Sequence, residues 1–191
     1  MVLIRRRYVF VAALVVGLTA GSYAVASKGF GPLHHGHPPN SKHFTARLNG
    51  YQETTGPGPI SSTGVGEFRA TLVAPDKLHF VLRYSGLEGG TTLFAHVHFG
   101  QRSVAGGVSF FFCGGSTKPT ACPNVSGQVE GDVGPADVVG PAGQGIEPGS
   151  FAEILKAMQT GNAYANIHTT RWPGGEIRGQ INDRDQRQFE G

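Results

Sequence analysis

The stretch Phe94-Ala-His96-Val-His98-Phe-Gly100 alternates between two kinds of residue along the chain. Side chains on a β-strand point to opposite faces in turn, so His96 and His98 share a face with Phe94, and the other face is wholly apolar. This pattern predicts a strand that buries one face in a core. The other face carries two imidazoles whose Cα atoms are ~6.6 Å apart.

The same pattern returns near the end of the chain, in residues 162–168 and 175–181. Asn166 and His168 share a face in the first of these segments, and Glu176 and Arg178 share a face in the second. The short connection between them predicts that the two strands pair. If both lie beside the strand that contains His96 and His98, the polar groups of all three strands form one surface.

The rest of the chain predicts an all-β fold, an antiparallel β-sandwich or barrel, because short alternating segments recur between turn-forming residues. Pro75-Asp76 indicates a hairpin turn, and Ser150-Phe-Ala-Glu153 is a capping-box pattern that begins one short helix ending before Gly161. Eight strands are predicted, at residues 43–49, 65–73, 77–84, 92–98, 107–113, 125–133, 162–168 and 175–181.

Four sequence blocks in this order resemble the CHRD domain, the module named after chordin. They are Phe44-Thr-Ala-Arg-Leu-Asn-Gly-Tyr-Gln-Glu53, the stretch at Phe94–Gly100, Tyr164-Ala-Asn-Ile-His-Thr-Thr170 and Pro173-Gly-Gly-Glu-Ile-Arg-Gly-Gln-Ile181. The resemblance covers residues 43–181 and implies an all-β extracellular module without implying a known reaction. The chain departs from the family pattern after His98, where an aromatic strand and two cysteines follow.

The N-terminus predicts export. Arg5-Arg6-Arg7, an apolar run at Tyr8–Leu18 and Ala24-Val-Ala26 have the order of a signal peptide that ends at residue 26. The apolar run is shorter than the ~20 residues that span a bilayer, so no stable membrane span is expected after cleavage. We therefore expect a secreted, cell-surface or periplasmic protein, exported by either the general or the twin-arginine route.

Three further segments complete the predicted organisation. Residues 27–42 form a disordered leader rich in His, Pro and Gly, residues 43–181 form the CHRD-like β domain, and residues 182–191 form a polar tail. The leader contains His34, His35 and His37, which suit either a solvated linker or a loose metal-collecting arm.

Charge and cysteine content narrow the function classes. The chain has 16 Lys plus Arg against 13 Asp plus Glu, and three of the arginines lie in the signal peptide, which leaves 13 against 13. Such a balance does not supply the basic surface that nucleic-acid binding requires. Cys113 and Cys122 are the only cysteines, and in an exported chain they most simply form one disulfide, with a cysteine-based metal site as the alternative.

The three strand histidines, His96, His98 and His168, are the candidate site. Three imidazoles with an open coordination position suit copper or zinc. The alternative is a structural polar network in which Asn166, His168, Glu176 and Arg178 hydrogen-bond one another. For Arg178 in that network, the expected partner is Glu176 or a loop carbonyl.

Catalysis has little support, because no nucleophile elbow, phosphate loop or dinucleotide fingerprint is present. The sequence therefore predicts a secreted binding module without catalysis, whose partner is an unknown extracellular protein, a polysaccharide or a metal ion. The first alternative is a copper or zinc protein that uses the His-x-His pair and His168 and could carry out redox chemistry at the metal. The second is an extracellular structural or matrix domain.

Overall fold

A computed structural model describes residues 42–55 and 58–183 of the chain. The predicted signal peptide, the leader up to residue 41 and the tail from residue 184 lie outside the described residues.

The described residues form one antiparallel sheet with one α-helix and three short 3-10 turns. The 3-10 turns are Gly50–Gln52, Pro135–Asp137 and Ala142–Gln144. The strands are β1 (His43–Asn49), β2 (Val65–Ala74), β3 (Lys77–Ser85), β4 (Thr92–Phe99), β5 (Gly107–Cys113), β6 (Gly127–Val133), β7 (Ala163–Thr169), β8 (Ile177–Gln180) and β9 (Asn182–Asp183), and the helix α1 (Phe151–Gln159) lies between β6 and β7.

The strands are ordered β5-β4-β7-β8-β1-β2-β3-β6 across the sheet, and β9 adds to β1. The sheet curves into a nearly closed, barrel-like form with β5 and β6 as its two end strands, which confirms the predicted all-β class. The predicted hairpin at Pro75-Asp76 is confirmed, because Ala74 pairs with Lys77 across it. The predicted pairing of the last two long strands is also confirmed, since β7 and β8 are antiparallel neighbours.

The apolar faces of the strands meet inside the barrel. Aromatic residues of β2, β3 and β5 pack together there, with the ring of Phe112 centred 5.2 Å from that of Phe68 and 4.8 Å from that of Phe80. Pairs of this kind add about 0.5–1.5 kcal/mol beyond the burial of their area. Ala95 and Val97 of β4 and Ile167 of β7 belong to the same core and are fully buried. Alternation then turns the histidines of both strands to the opposite face of the sheet.

The helix follows the predicted stripe, with buried Phe151, Ile154 and Met158 facing the sheet. It contacts β7 and β9. Gly161 has a φ of 70°, the left-handed conformation expected at the end of a helix. The capping-box prediction is wrong: Ser150 makes no side-chain capping bond, because its ψ of 67° lies outside the extended region that a capping serine adopts.

Two strands begin two residues later than predicted, and every other bound of the eight predicted strands lies within one residue of its prediction. The sixth strand begins at Gly127 rather than residue 125, where Val125 has a positive φ of 61° that no strand tolerates. The eighth begins at Ile177, so Gly175 and Glu176 belong to the preceding turn.

The predicted disulfide is confirmed. Cys113 at the end of β5 is bonded to Cys122 with a Cα–Cα separation of 5.2 Å, inside the usual range for such bonds. The bond closes the loop that connects β5 towards β6. No helix in the part of the chain that the structure describes is long and apolar enough to cross a bilayer.

Candidate metal centre

Strands β4 and β7 bring His96, His98 and His168 together, and we call these three residues the histidine cluster. In the β4–β7 register Phe94 lies opposite His168 and His98 lies opposite Tyr164, so His168 is on the same face as the His-x-His pair. One ring nitrogen from each histidine lies within 4.8 Å of the others. Alternation along the strands therefore places the predicted ligand set in one spot.

Backbone carbonyls fix two of the rings. His98 Nδ1 lies 2.8 Å from the carbonyl oxygen of Gly106, and His168 Nδ1 lies 2.9 Å from that of Pro173. A carbonyl only accepts, so we assign the proton of each neutral ring to Nδ1, which leaves Nε2 with a bare lone pair. Histidines that bind metals usually donate their other N–H to such a carbonyl or a carboxylate.

Each ring of the histidine cluster has one buried nitrogen without a partner among the described residues. His96 Nδ1, His98 Nε2 and His168 Nε2 are all buried and make no hydrogen bond within residues 42–55 and 58–183. The three side chains are 2%, 9% and 5% exposed, respectively. Each such group forfeits the hydrogen bonds that it would make in water, a cost of about 1–3 kcal/mol.

Burial also keeps the rings uncharged. Desolvation lowers the pKa of His98 and that of His168 from 6.5 to about 4. The pKa of His96 falls further, through desolvation and the proximity of the other two rings. At neutral pH the cluster therefore presents neutral imidazoles, the form that coordinates metals.

Aromatic side chains surround the cluster. The ring of Phe94 stacks on His96 at 5.3 Å and lies 4.7 Å from His168, and Phe111 of β5 meets His96 edge-on at 5.2 Å. Tyr164 stacks on His98 at 4.5 Å, with their planes 10° apart. These rings limit the rotation of the imidazoles and exclude water from them.

Arg178 lies on the far side of Tyr164 from this stack. Its guanidinium carbon is 3.4 Å from the centre of the Tyr164 ring, and its Nη2 donates to the carbonyls of Gln101 and Val104 at 2.9 and 3.0 Å. Glu176 or a loop carbonyl was expected as the partner of Arg178, and the structure shows loop carbonyls. Arg178 thus holds the loop between β4 and β5, the loop that also presents the Gly106 carbonyl to His98.

Glu176 has separate partners. Its carboxylate accepts hydrogen bonds from Ser62 Oγ at 2.6 Å and Thr169 Oγ1 at 2.9 Å, and from the backbone N–H groups of Glu88 and Gly89 at 2.7 and 3.0 Å. The alternation argument placed it beside Arg178, but it lies in the turn before β8 and ties three loops together.

Asn166 bonds to a residue that the sequence reasoning missed. Its Nδ2 donates to Glu53 Oε1 at 2.6 Å and to the Ile177 carbonyl at 2.9 Å. Glu53 is 1% exposed, and burial raises its pKa to about 7 although Asn166 and Arg178 oppose that shift. Glu53 follows a 3-10 turn and belongs to no alternating segment, so no periodic signal marked it.

Comparisons with known proteins give one match. The model of a protein family described as the CHRD domain matches residues 44–181. No curated protein and no solved structure matches the chain significantly.

Proposed function

The chain belongs to the CHRD domain family, and on that premise we propose that this binding module holds a copper or zinc ion through its histidine cluster. Membership of the family supports a binding role and leaves the ligand open. The chemistry of His96, His98 and His168 supports a metal ion as that ligand.

Two observations carry the proposal: one ring nitrogen of each of the three histidines lies within 4.8 Å of the others, and each of the three rings has a buried nitrogen without a hydrogen-bond partner among the described residues. In a structural polar layer such nitrogens would meet donors or acceptors, since buried polar groups are nearly always hydrogen-bonded. Here the Nδ1 atoms of His98 and His168 have partners, and the Nε2 atoms of the same rings have none among the described residues. A metal ion is the partner that accepts three lone pairs at one point.

The spacing of the ring nitrogens is close to that of a three-histidine metal site. Metal–nitrogen bonds of ~2.0–2.1 Å at tetrahedral angles separate the nitrogens by roughly 3.4 Å. The observed nitrogens lie within 4.8 Å of one another, so side-chain movements of about an ångström bring all three within bonding distance of one ion. Three imidazoles leave a fourth position open, an arrangement that suits zinc and copper and does not suit calcium or magnesium.

Export belongs to the same proposal. Residues 1–26 have the pattern of a signal peptide, and the Cys113–Cys122 disulfide suits an oxidising compartment. Sequencing the N-terminus of exported protein tests the export step, with Ser27 as the expected first residue and Met1 as the result that contradicts it.

The test of the metal proposal is the metal content of the protein purified from its own compartment without a histidine tag. We expect about one equivalent of copper or zinc in the unchanged protein and its loss in His168→Ala. His79→Ala is the matched control, because His79 is half-exposed on β3, where it bonds to Asp132. A metal content that is equal in all three proteins contradicts the proposal.

A further inference from the structure

Tyr164 of β7 lies against the histidine cluster, and its hydroxyl group is linked to His98 through one residue. The tyrosine side chain is 1% exposed. Its Oη accepts a hydrogen bond from the backbone N–H of Gly106 at 3.1 Å. The carbonyl oxygen of the same glycine accepts from His98 Nδ1 at 2.8 Å. The backbone of Gly106 therefore joins the phenol hydroxyl to one of the three imidazoles.

Close packing leaves the loop between β4 and β5 little freedom around this tyrosine. A Cβ on Gly106 would overlap the carbonyl group of Phe99, and a Cβ on Gly100 would lie 2.9 Å from Tyr164 Cε1, closer than real Cβ atoms approach. Glycine at both ends of the loop allows its backbone to lie directly against β4 and the tyrosine. The position of the Gly106 carbonyl therefore follows from where Tyr164 places its hydroxyl group.

The tyrosine ring is itself held on both faces. His98 stacks on one face with the ring centres 4.5 Å apart and the planes at 10°, and the guanidinium carbon of Arg178 is 3.4 Å from the ring centre on the other face. Arg178 also donates to the carbonyls of Gln101 and Val104 in the same loop. Because the ring cannot tilt between these two groups, its hydroxyl group has a fixed position beside the glycine.

This arrangement decides which nitrogen of His98 carries the proton. A neutral imidazole has one N–H, and either ring nitrogen can hold it. The Gly106 carbonyl only accepts, so it holds the proton on Nδ1 and leaves the lone pair on Nε2, the buried nitrogen without a partner among the described residues. If the carbonyl moved away, the proton would also occupy Nε2, and that nitrogen could not then coordinate a metal ion. Groups that orient a ligand in this way typically change metal affinity by about 10–100-fold.

We propose that Tyr164 is a positioning residue of the histidine cluster, which acts through Gly106 to keep the His98 proton on Nδ1 and Nε2 available to a metal ion. The tyrosine acts on the ligand and not on the ion. A phenylalanine would supply the same stack, so the hydroxyl group is the part of the side chain that carries this role. The effect on metal affinity rests on the proposed function, whereas the tautomer of His98 is a property of the metal-free protein.

The test compares Tyr164→Phe with Tyr84→Phe. Tyr164→Phe keeps the ring between His98 and Arg178 and removes only the hydroxyl group. Tyr84→Phe is the matched control, because this tyrosine of β3 is also buried and its hydroxyl group donates to the carbonyl of Pro123. Long-range proton–nitrogen NMR spectra of the metal-free proteins at neutral pH distinguish the two tautomers of His98. We expect the Nδ1–H form in the wild type and in Tyr84→Phe, and a mixture of both forms in Tyr164→Phe.

Titration with copper(II) and zinc supplies the second readout, in proteins whose leader histidines are replaced by Asn. Tyr164→Phe should weaken metal binding about tenfold, and Tyr84→Phe should leave it unchanged. The inference is overturned if the tautomer of His98 is the same in Tyr164→Phe as in the wild type, or if Tyr84→Phe has the same effects as Tyr164→Phe. It is also overturned if the wild type binds metal and Tyr164→Phe changes the tautomer but not the affinity. A wild type that binds neither metal contradicts the proposed function alone, and the tautomer then decides this inference.

Discussion

The Glu176 carboxylate and the histidine cluster meet at the end of β7 and differ in how their polar atoms are used. Glu176 is fully buried and accepts four hydrogen bonds, two from hydroxyl groups and two from backbone N–H groups. Each ring of the histidine cluster also has one buried nitrogen, and that nitrogen accepts no hydrogen bond from the described residues. His168 belongs to the cluster and the adjacent Thr169 serves the carboxylate.

The difference separates two uses of a buried polar group. A group whose hydrogen bonds are all made within the protein stabilises the fold and has nothing left to offer a ligand. A group that is buried and unpaired costs stability, and the fold retains it where a ligand supplies the missing partner. Glu176 belongs to the first kind, and we place His96, His98 and His168 in the second.

Replacing Glu176 by Ala should have the largest effect on stability. Four donors lose their acceptor at once, and we expect the free energy of unfolding to fall by about 3–5 kcal/mol. Urea denaturation measures this change. Glu130→Ala, at an exposed carboxylate of β6, is the control and should change stability by less than about 0.5 kcal/mol. Equal stability of the two variants would mean that the four hydrogen bonds to Glu176 contribute nothing to the free energy of unfolding.

Replacing Arg178 by Ala should come next, with a loss of about 3–4 kcal/mol. The substitution removes the donors to the loop between β4 and β5 and the stacking on Tyr164. Arg178→Lys should recover little of the loss, because an ammonium cannot reproduce the planar fork. An unchanged melting temperature in Arg178→Ala would show that this side chain does not hold the loop.

Acidification should destabilise the metal-free protein. The folded pKa of His98 and that of His168 are lowered to about 4 from 6.5, so the unfolded chain binds more protons between these values and stability is lost as pH falls through that window. From pH 7 to pH 5 each cluster histidine contributes a loss of about 2 kcal/mol.

Glu53 acts in the opposite direction over the same pH range. Its folded pKa is raised to about 7 from 4.5, so its contribution to stability grows as pH falls. Between pH 7 and pH 5 it offsets about 2 kcal/mol of the loss caused by the histidines. Since all three cluster histidines lose stability and Glu53 offsets the contribution of one of them, the net expectation is a loss of about 4 kcal/mol between pH 7 and pH 5, measured by denaturation at each pH. A stability that rises on acidification would show that the cluster is not held neutral by burial.

The smallest effect is expected for His96→Phe in the metal-free protein. Because His96 Nδ1 has no partner to lose, an aromatic ring of similar shape should change the free energy of unfolding by less than about 1 kcal/mol. Thermal denaturation without metal measures it. A loss of stability as large as that of Glu176→Ala would show that His96 belongs to a structural polar network instead.

Alternation with a period of two was sufficient to predict most strands and the convergence of the histidine cluster. That signal is local, and it fixes which side chains share a face once the strands pair. It could not show that the carbonyls of Gly106 and Pro173 orient two of the rings, because every residue has a carbonyl and only the loop paths bring these two into place.

The same limit explains the remaining differences. Glu53 and Glu176 acquire their roles from loops that fold over the sheet, and their partners are up to 114 residues away in the chain. The stack of Arg178 on Tyr164 requires the register of β7 with β8. Ser150 has the residue type of a helix cap but not the backbone conformation. Long-range packing decides such features, and a single sequence carries little direct trace of it.

Calorimetric titration of the metal-free protein with copper(II) and zinc tests the central claim most directly. The leader residues His34, His35 and His37 are replaced by Asn in every protein, so that only the cluster competes for metal. We predict one tight site in this background and in His79→Ala, and a loss of affinity of more than about 100-fold in His98→Ala with the fold intact. Equal affinity in the background protein and His98→Ala would contradict the claim that the unpaired histidines are a metal site.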